Sequence, residues 1–294
     1  MNILLHCDFD NKDNWEKSIK KKFKDENIFL IKDNPNFKEI DCIIAWKIPN
    51  NILIKITNLK VIFSLGAGVD HILNLPGYNG TPIIRVKDPS MAIRMSYHVL
   101  SQILEYQLNL KYFQKAQLVK CWEEKLQFKR QVKLNKQINV GILGVGFLGT
   151  YVGKFLKSLD YQVIGFKNTP PKKKSYFPIY TNQYLDYFIK YCDIIVSILP
   201  STSKTKNLID IKFLKKMKKK SLLINVGRGA SINEIDLISH LNKNKDFFAS
   251  LDVFVKEPLM KKNPLWELDN VTITPHVASL TVVDIVTEQM HKKL

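Results

Sequence analysis

The chain has 294 residues, enough for about two domains with a substantial core, and its 45% hydrophobic and 24% charged residues are those of an ordinary globular protein. No apolar run approaches the roughly 18 residues of a membrane span, and Met1 to Asp8 lack a signal-peptide layout, so a cytoplasmic location without membrane contact is expected. The formal charge of +18 invites a nucleic-acid reading, but it is almost all lysine spread along the chain; base readout and phosphate forks favour arginine, and with only Arg85, Arg94, Arg130 and Arg228 no specific nucleic acid is expected.

From residue 1 to about 90, short β-branched runs recur at Ile3–Leu5, Ile28–Ile31, Cys42–Trp46, Val61–Phe63 and Ile83–Val86. Amphipathic segments separate several of them, which predicts βαβ units on a parallel sheet. Ser64-Leu65-Gly66-Ala67-Gly68-Val69-Asp70 falls at the carboxyl end of the fourth run, where open α/β sheets place ligand loops. Its glycines would let backbone N–H groups converge on an anion, or it is an ordinary tight loop. Met91 to about Lys120 reads as one long helix, suited to crossing between domains and to a dimer face, and Arg130–Asn135 as a basic connection. Cys7, Cys42, Cys121 and Cys192 are scattered, show no CxxC spacing, and are expected to be reduced, half-buried small apolar residues.

The next stretch is the most informative. Ile138 to Leu143 is strand-like and feeds directly into Gly144-x-Gly146-x-x-Gly149, after which Tyr151, Val152, Phe155 and Leu156 keep helical spacing. A strand, a tight glycine turn and a helix start form the context in which this motif binds a dinucleotide, its pyrophosphate at the helix N-terminus. Further runs at Gln162–Phe166, Asp193–Ile198, Ser221–Val226, Phe247–Val253 and Val271–Thr274 complete a second parallel sheet, and Leu280–Leu294 reads as a helix able to return to the first domain. NAD binding calls for an acidic residue about 20 residues past the glycines, to take the ribose 2′-OH. Here the strand ends in Lys167-Asn168-Thr169, followed by Lys172–Lys174. Lysine there attracts a 2′-phosphate, so NADP(H) is expected over NAD(H), unless these lysines express only the general lysine bias.

Three later loops carry polar groups. Arg228 stands between Gly227 and Gly229, open to a bidentate carboxylate contact or simply solvated. Leu251-Asp252-Val253-Phe254 leads to Glu257, and Thr274-Pro275-His276 ends a strand. A lone histidine there is usually structural. With Glu257, 19 residues upstream, beside it, the ring would be oriented and its protonated form favoured.

The motifs SLGAGVD, GILGVGFLG, LPSTSKT, NVGRGA, LDVFVKEPL and TPHVAS, in this order and over nearly the whole chain, resemble the NAD(P)-dependent D-2-hydroxyacid dehydrogenase family. The likeness is strongest to its glyoxylate/hydroxypyruvate reductases, through AWK at Ala45–Lys47 and NPLWELDNVTITPHVA at Asn263–Ala278. The resemblance implies an α/β protein with two Rossmann/flavodoxin-like parallel-sheet domains and the active-site cleft between them. The expected domains are 1–95, completed by 277–294, for substrate and 96–276 for the dinucleotide.

It further implies that His276 is the general acid, Glu257 its partner, and Arg228 the carboxylate binder and carbonyl polariser, with backbone groups of Ala67 and Gly68 on the carboxylate's other side. Asp252 would accept from the nicotinamide carboxamide. Leu199, Pro200, Thr205 and Val226 would line the cofactor, and Phe147 and Leu148 would offer N–H groups to its pyrophosphate. Trp46 is either pocket wall or core; Met95 fits helix-core packing better, and His71, His98 and Cys121 read as structural. No metal is called for, since Arg228 supplies the electrophile. The family also suggests a homodimer through the Met91–Lys120 helix, and a C-terminal helix longer than one ending at Leu294. Alternative functions are turnover of another 2-oxo acid, or a non-catalytic dinucleotide sensor, against which Arg228, Glu257 and His276 speak.

Overall fold

A computed structural model describes residues 1–8, 11–122, 132–171 and 174–294; Arg130, Lys172 and Lys173, named above, lie outside the described residues. The chain divides into two compact units, Met1–Met91 with Thr281–Leu294, and Ala92–Leu280.

The first unit runs β1 (Asn2–Cys7), α1 (Lys12–Lys22), β2 (Asn27–Leu30), β3 (Cys42–Trp46), α2 (Asn50–Leu53), β4 (Val61–Ser64), α3 (Asp70–Leu73) and β5 (Ile83–Ile84). Its strands are all parallel, in the order β2-β1-β3-β4-β5. A parallel sheet is covered on both faces, which is why β3 is an unbroken apolar run with Cys42, Ile43, Ile44 and Ala45 fully buried. The order reverses between β1 and β3, so the loops after Cys7 and Trp46 flank the crevice where such sheets take ligands. The C-terminal helix Val283–His291 packs on α1: the Ser18 hydroxyl donates to Asp284 at 2.8 Å, Lys22 pairs with Glu288, and the rings of Phe23 and His291 meet edge to face.

The second unit begins at Ala92, within α4 (Pro89–Gln107), and α4 with α5 (Leu110–Leu118) stands in place of the single helix expected. Asn109 breaks it with φ of 54°, a left-handed conformation that asparagine tolerates better than most residues. There follow β6 (Asn139–Leu143), α6 (Phe147–Ser158), β7 (Gln162–Phe166), β8 (Ile179–Tyr180), α7 (Leu185–Tyr191), β9 (Ile194–Ser197), α8 (Ile211–Lys216), β10 (Leu222–Asn225), α9 (Glu234–Lys243), β11 (Phe248–Leu251) and β12 (Val271–Ile273). These strands form one parallel sheet, β12-β11-β10-β9-β6-β7-β8. The order reverses between β6 and β9, which sets the glycine turn beside the loop after Ser197. Met95 is buried in this unit's core with Val99, Ile142 and Val226.

Candidate active site

At the end of β6, Gly144 has φ of 106°, a region that costs glycine nothing. A Cβ there would lie 2.8 Å from the Ile198 carbonyl, and one on Gly149 would lie 2.2 Å from the Gly144 carbonyl, so strand, loop and helix approach this closely only through glycine. At Gly146 an added Cβ meets nothing within 4 Å, which leaves open space over the start of α6. The first hydrogen bond of that helix runs from Thr150 N–H to Gly146 at 3.0 Å. The N–H groups of Phe147, Leu148 and Gly149 precede it and have no intrahelical acceptor. Open space, free donors and the helix dipole together fit a pyrophosphate.

Lys167 stands beside this turn. Strand β7 pairs with β6 through Phe166 and Leu143, and the Gly144 N–H donates to the Phe166 carbonyl at 3.0 Å. Asn168 is exposed next to it. Across the sheet's reversal point, Leu199 and Pro200 begin the loop after β9. Thr205 shapes that loop: its hydroxyl donates to the Pro200 carbonyl at 2.6 Å and accepts from Thr202 N–H at 2.9 Å.

Arg228 lies just past β10, and its glycine neighbours do more than clear space around the guanidinium. A Cβ on Gly227 would fall 2.6 Å from the Leu199 nitrogen, and one on Gly229 would fall 1.9 Å from the Phe254 carbonyl carbon. The arginine loop is thus seated between the β9 loop and the segment leading to Glu257. Asn225 and Ser231 fix its backbone by donating to the Arg228 carbonyl at 3.2 and 2.8 Å.

His276 and Glu257 meet, the pairing that the family resemblance implies. Nδ1 of His276 lies 2.8 Å from Oε2 of Glu257, and Oε1 of Glu257 accepts from Phe254 N–H at 3.0 Å. Burial works to raise the pKa of Glu257, but the hydrogen bonds from His276 and Phe254 and the charges of His276 and Arg228 outweigh it and hold the carboxyl below its ordinary value. An ionised Glu257 only accepts, so Nδ1 carries the hydrogen and Nε2 is left for another partner.

The backbone of His276 is unusual, with φ of 56°. Asp252 holds it there. Its carbonyl accepts from His276 N–H at 2.8 Å, Oδ1 accepts from the Thr274 hydroxyl and Val277 N–H at 2.6 and 2.8 Å, and Oδ2 accepts from Ala278 N–H at 3.0 Å. Asp252, expected to meet the nicotinamide, is 1% exposed, and its carboxylate takes three hydrogen bonds from the 274–278 turn. Its role as anchor of that turn, with Thr274, went unread in the sequence; the only local signal was a second carboxylate ahead of Glu257.

In the first unit, the Ser64 hydroxyl bonds the Gly66 and Gly68 carbonyls at 3.0 and 2.9 Å and shapes the loop, on which Ala67 and Gly68 are partly exposed. The half-buried Trp46 ring packs against Gly66 and meets the His71 ring at a tilt of 48°, with centroids 4.2 Å apart. Among the described residues, no group of three or more His, Cys, Asp or Glu side chains has the arrangement of a metal site. No helix among them is long and apolar enough to cross a membrane.

Comparison with known proteins agrees with this geometry. The pattern described as D-isomer specific 2-hydroxyacid dehydrogenase, NAD binding domain, matches residues 100–278. The chain is 30% identical over 300 residues to the glyoxylate/hydroxypyruvate reductase A of Photorhabdus laumondii subsp. laumondii, covering 100% of this chain and 94% of that protein. An NADPH-dependent glyoxylate/hydroxypyruvate reductase of Sinorhizobium meliloti, solved with NADP and sulfate, superposes with a TM-score of 0.89 at 28% identity, over 99% of this chain and 93% of that one. A D-isomer specific 2-hydroxyacid dehydrogenase of Xanthobacter autotrophicus Py2, solved with NADPH and MES, gives 0.90 at 27% identity, over 99% and 92%. With a matching dinucleotide domain, full-length relatives and the two parallel sheets in agreement, the chain belongs to the D-isomer specific 2-hydroxyacid dehydrogenase family.

Proposed function

We propose that this protein reduces a small 2-oxo acid, glyoxylate or hydroxypyruvate, to the 2-hydroxy acid, with NADP(H) as preferred cofactor and NAD(H) as the weaker one. The observation that carries this is the His276–Glu257 pair at 2.8 Å with Arg228 acting on the same carboxylate. The substrates follow from the named relatives, and the cofactor from Lys167 and from the NADP-bound neighbours.

In this mechanism Arg228 binds the substrate carboxylate and polarises the keto carbonyl. His276, its ring set by Glu257, gives a proton from Nε2 to the keto oxygen, and takes it back in the reverse direction. When bound, the reduced nicotinamide supplies the hydride. Phe147, Leu148 and Gly149 hold the pyrophosphate by backbone N–H groups, and Gly144 and Gly146 give it room. Lys167 and Asn168 meet the 2′-phosphate, while Leu199, Pro200, Thr205 and Val226 shape the cofactor surface. Asp252 orients that side of the site through the turn it holds. On the first unit, Ala67 and Gly68 offer backbone donors suited to a carboxylate, and Trp46 offers a pocket wall.

We place the protein in the cytoplasm, assign no nucleic-acid role to its lysines, and assign the exposed Leu110, Tyr112, Phe113 and Leu118 of α5 to a homodimer, which light scattering would weigh. The function is tested by following NADPH oxidation with glyoxylate, hydroxypyruvate and pyruvate. Turnover is expected with the first two and loss of it in His276→Ala and Arg228→Ala. Full activity in His276→Ala would overturn the mechanism.

A further inference from the structure

Helix α4 carries a polar stripe that the contacts proposed above do not use. His98, Gln102 and Glu105 stand at i, i+4 and i+7, on one face of the helix. That face runs along β11 and β12. Gln102 accepts from the Ser250 hydroxyl at 2.7 Å and Glu105 from the Thr272 hydroxyl at 2.7 Å, and Ser250 and Thr272 are direct partners across the strand pair. One turn back along the helix and two residues on along the strand, the same alignment sets His98 against Asp252. Met95 and Val99, beside His98 on α4, pack in one cluster with Ala278, whose N–H Asp252 accepts.

Two open valences fall along this line of contacts. Nε2 of His98 is buried and makes no hydrogen bond. Buried polar nitrogens are seldom left so. The Asp252 carboxylate can accept about four hydrogen bonds, and its three donors leave Oδ2 with one to spare. Burial lowers the pKa of the His98 imidazole, and the Asp252 charge opposes that effect. Among the described residues Asp252 is the charged group that acts on this ring; Glu105, on the same stripe, is engaged by Thr272.

We propose that His98 is a positioning residue for the reductase reaction: it supports Asp252 from the α4 side, and through Asp252 it holds the turn that carries His276. With a hydrogen on Nε2, His98 supplies the fourth hydrogen bond to Asp252; without one, the turn rests on three. His98 touches neither substrate nor cofactor. The inference builds on the proposed role of His276 as general acid.

The test compares full-length wild type, His98→Gln and His98→Leu. Glutamine keeps a donor for the carboxylate but does not titrate; leucine fills the space without one. Two quantities are read: kcat and KM for glyoxylate with NADPH between about pH 5 and 9, and the His276 ring resonances by NMR without substrate. His98→Leu is expected to lower kcat about tenfold with little change in KM, and His98→Gln to restore most of it with a flatter pH profile. The His276 resonances should move in the leucine variant and return in the glutamine one.

Equal kcat, equal pH profiles and unmoved His276 resonances in all three proteins would overturn the proposal. Should His98→Leu not fold, His98→Gln decides alone: a flattened profile supports the role and an unchanged one removes it. Absence of turnover in the wild type would instead count against the proposed reduction, while the resonances would still report on His98.

Discussion

Nδ1 of His276 donates to Oε2 of Glu257 across 2.8 Å, and the same carboxylate is tied through Oε1 to the Phe254 N–H, so the ring is aimed by a group that is itself held. Replacing Glu257 by glutamine removes the charge and keeps the shape. The kcat for glyoxylate reduction is expected to fall at least about tenfold, less than the roughly 10²–10⁴ expected for His276→Ala. The sign of the pH effect follows from the lowered pKa of Glu257. Its contribution is complete above the ordinary glutamate value and is lost only as pH falls through the depressed one, so ionisation of Glu257 should not limit wild-type kcat down to about pH 5. A midpoint above that pH in the wild-type profile, absent from Glu257→Gln, would contradict the assignment.

Two glycines of the same motif should fail in different ways. A methyl group at Gly149 would sit 2.2 Å from the Gly144 carbonyl, so Gly149→Ala must push helix from strand, at a cost of roughly 1–3 kcal/mol in stability. At Gly146 the added carbon meets nothing in the protein. Gly146→Ala should therefore melt close to wild type while the KM for NADPH rises about tenfold or more, because the methyl group occupies the space of the pyrophosphate. Thermal melts beside cofactor titrations separate the two, and equal melting losses in both variants would refute the distinction.

Much of this architecture is legible in the sequence because parallel strands are buried on both faces. Runs such as Ile43-Ile44-Ala45 and Ile194-Ile195-Val196 stay apolar without alternation, and glycine loops punctuate their carboxyl ends. The break at Asn109 escapes such a reading, since Leu108 and Leu110 keep the apolar pattern going through it. Strand β8, of two residues, is too short for any periodicity. The roles of Asp252 and His98 were hidden for another reason. The anchoring by Asp252 rests on donors 22 to 26 positions along the chain, and the support proposed for His98 rests on α4 lying along β11, as in the Gln102–Ser250 pair 148 positions apart; no local pattern encodes either.

Asp252→Asn tests the anchor of the catalytic turn. The carboxylate accepts from the Thr274 hydroxyl and from the Val277 and Ala278 N–H groups, and an amide would turn its NH₂ toward one of these donors. An unsatisfied buried donor costs about 1–3 kcal/mol, so the melting temperature should drop, and kcat should drop with it as His276 loses its place. Thr274→Val removes one hydrogen bond and should cost about 1 kcal/mol. Unchanged kcat in Asp252→Asn would show that the turn does not need this carboxylate.

The cysteines should divide cleanly under a thiol reagent. Burial pushes the Cys42 thiol up to about 12 and raises that of Cys192 as well, so neither forms thiolate near neutrality. Cys121 is exposed and Cys7 half-buried. Native protein should label fast at Cys121 and slowly at Cys7, and at all four positions only after unfolding. Rapid native labelling of Cys42 would mean that β3 opens far more readily than its burial allows.

Cofactor choice is the sharpest test of a single side chain. The Lys167 backbone N–H donates to the Tyr180 carbonyl at 3.1 Å, a bond that any non-proline residue can make, so Lys167→Asp should fold normally. An aspartate there would repel a 2′-phosphate and accept from a ribose 2′-OH. The KM for NADPH should rise about tenfold or more and that for NADH should fall, with kcat near the wild-type value for both. Because the contact pairs an ammonium with a phosphate at the protein surface, added salt should weaken NADPH binding in the wild type, whereas in the variant it screens a repulsion and should strengthen NADPH binding. If the ratio of the two KM values stays as it was, Lys167 does not read the phosphate, and preference must come from the lysines at 172–174 or from elsewhere in the loop.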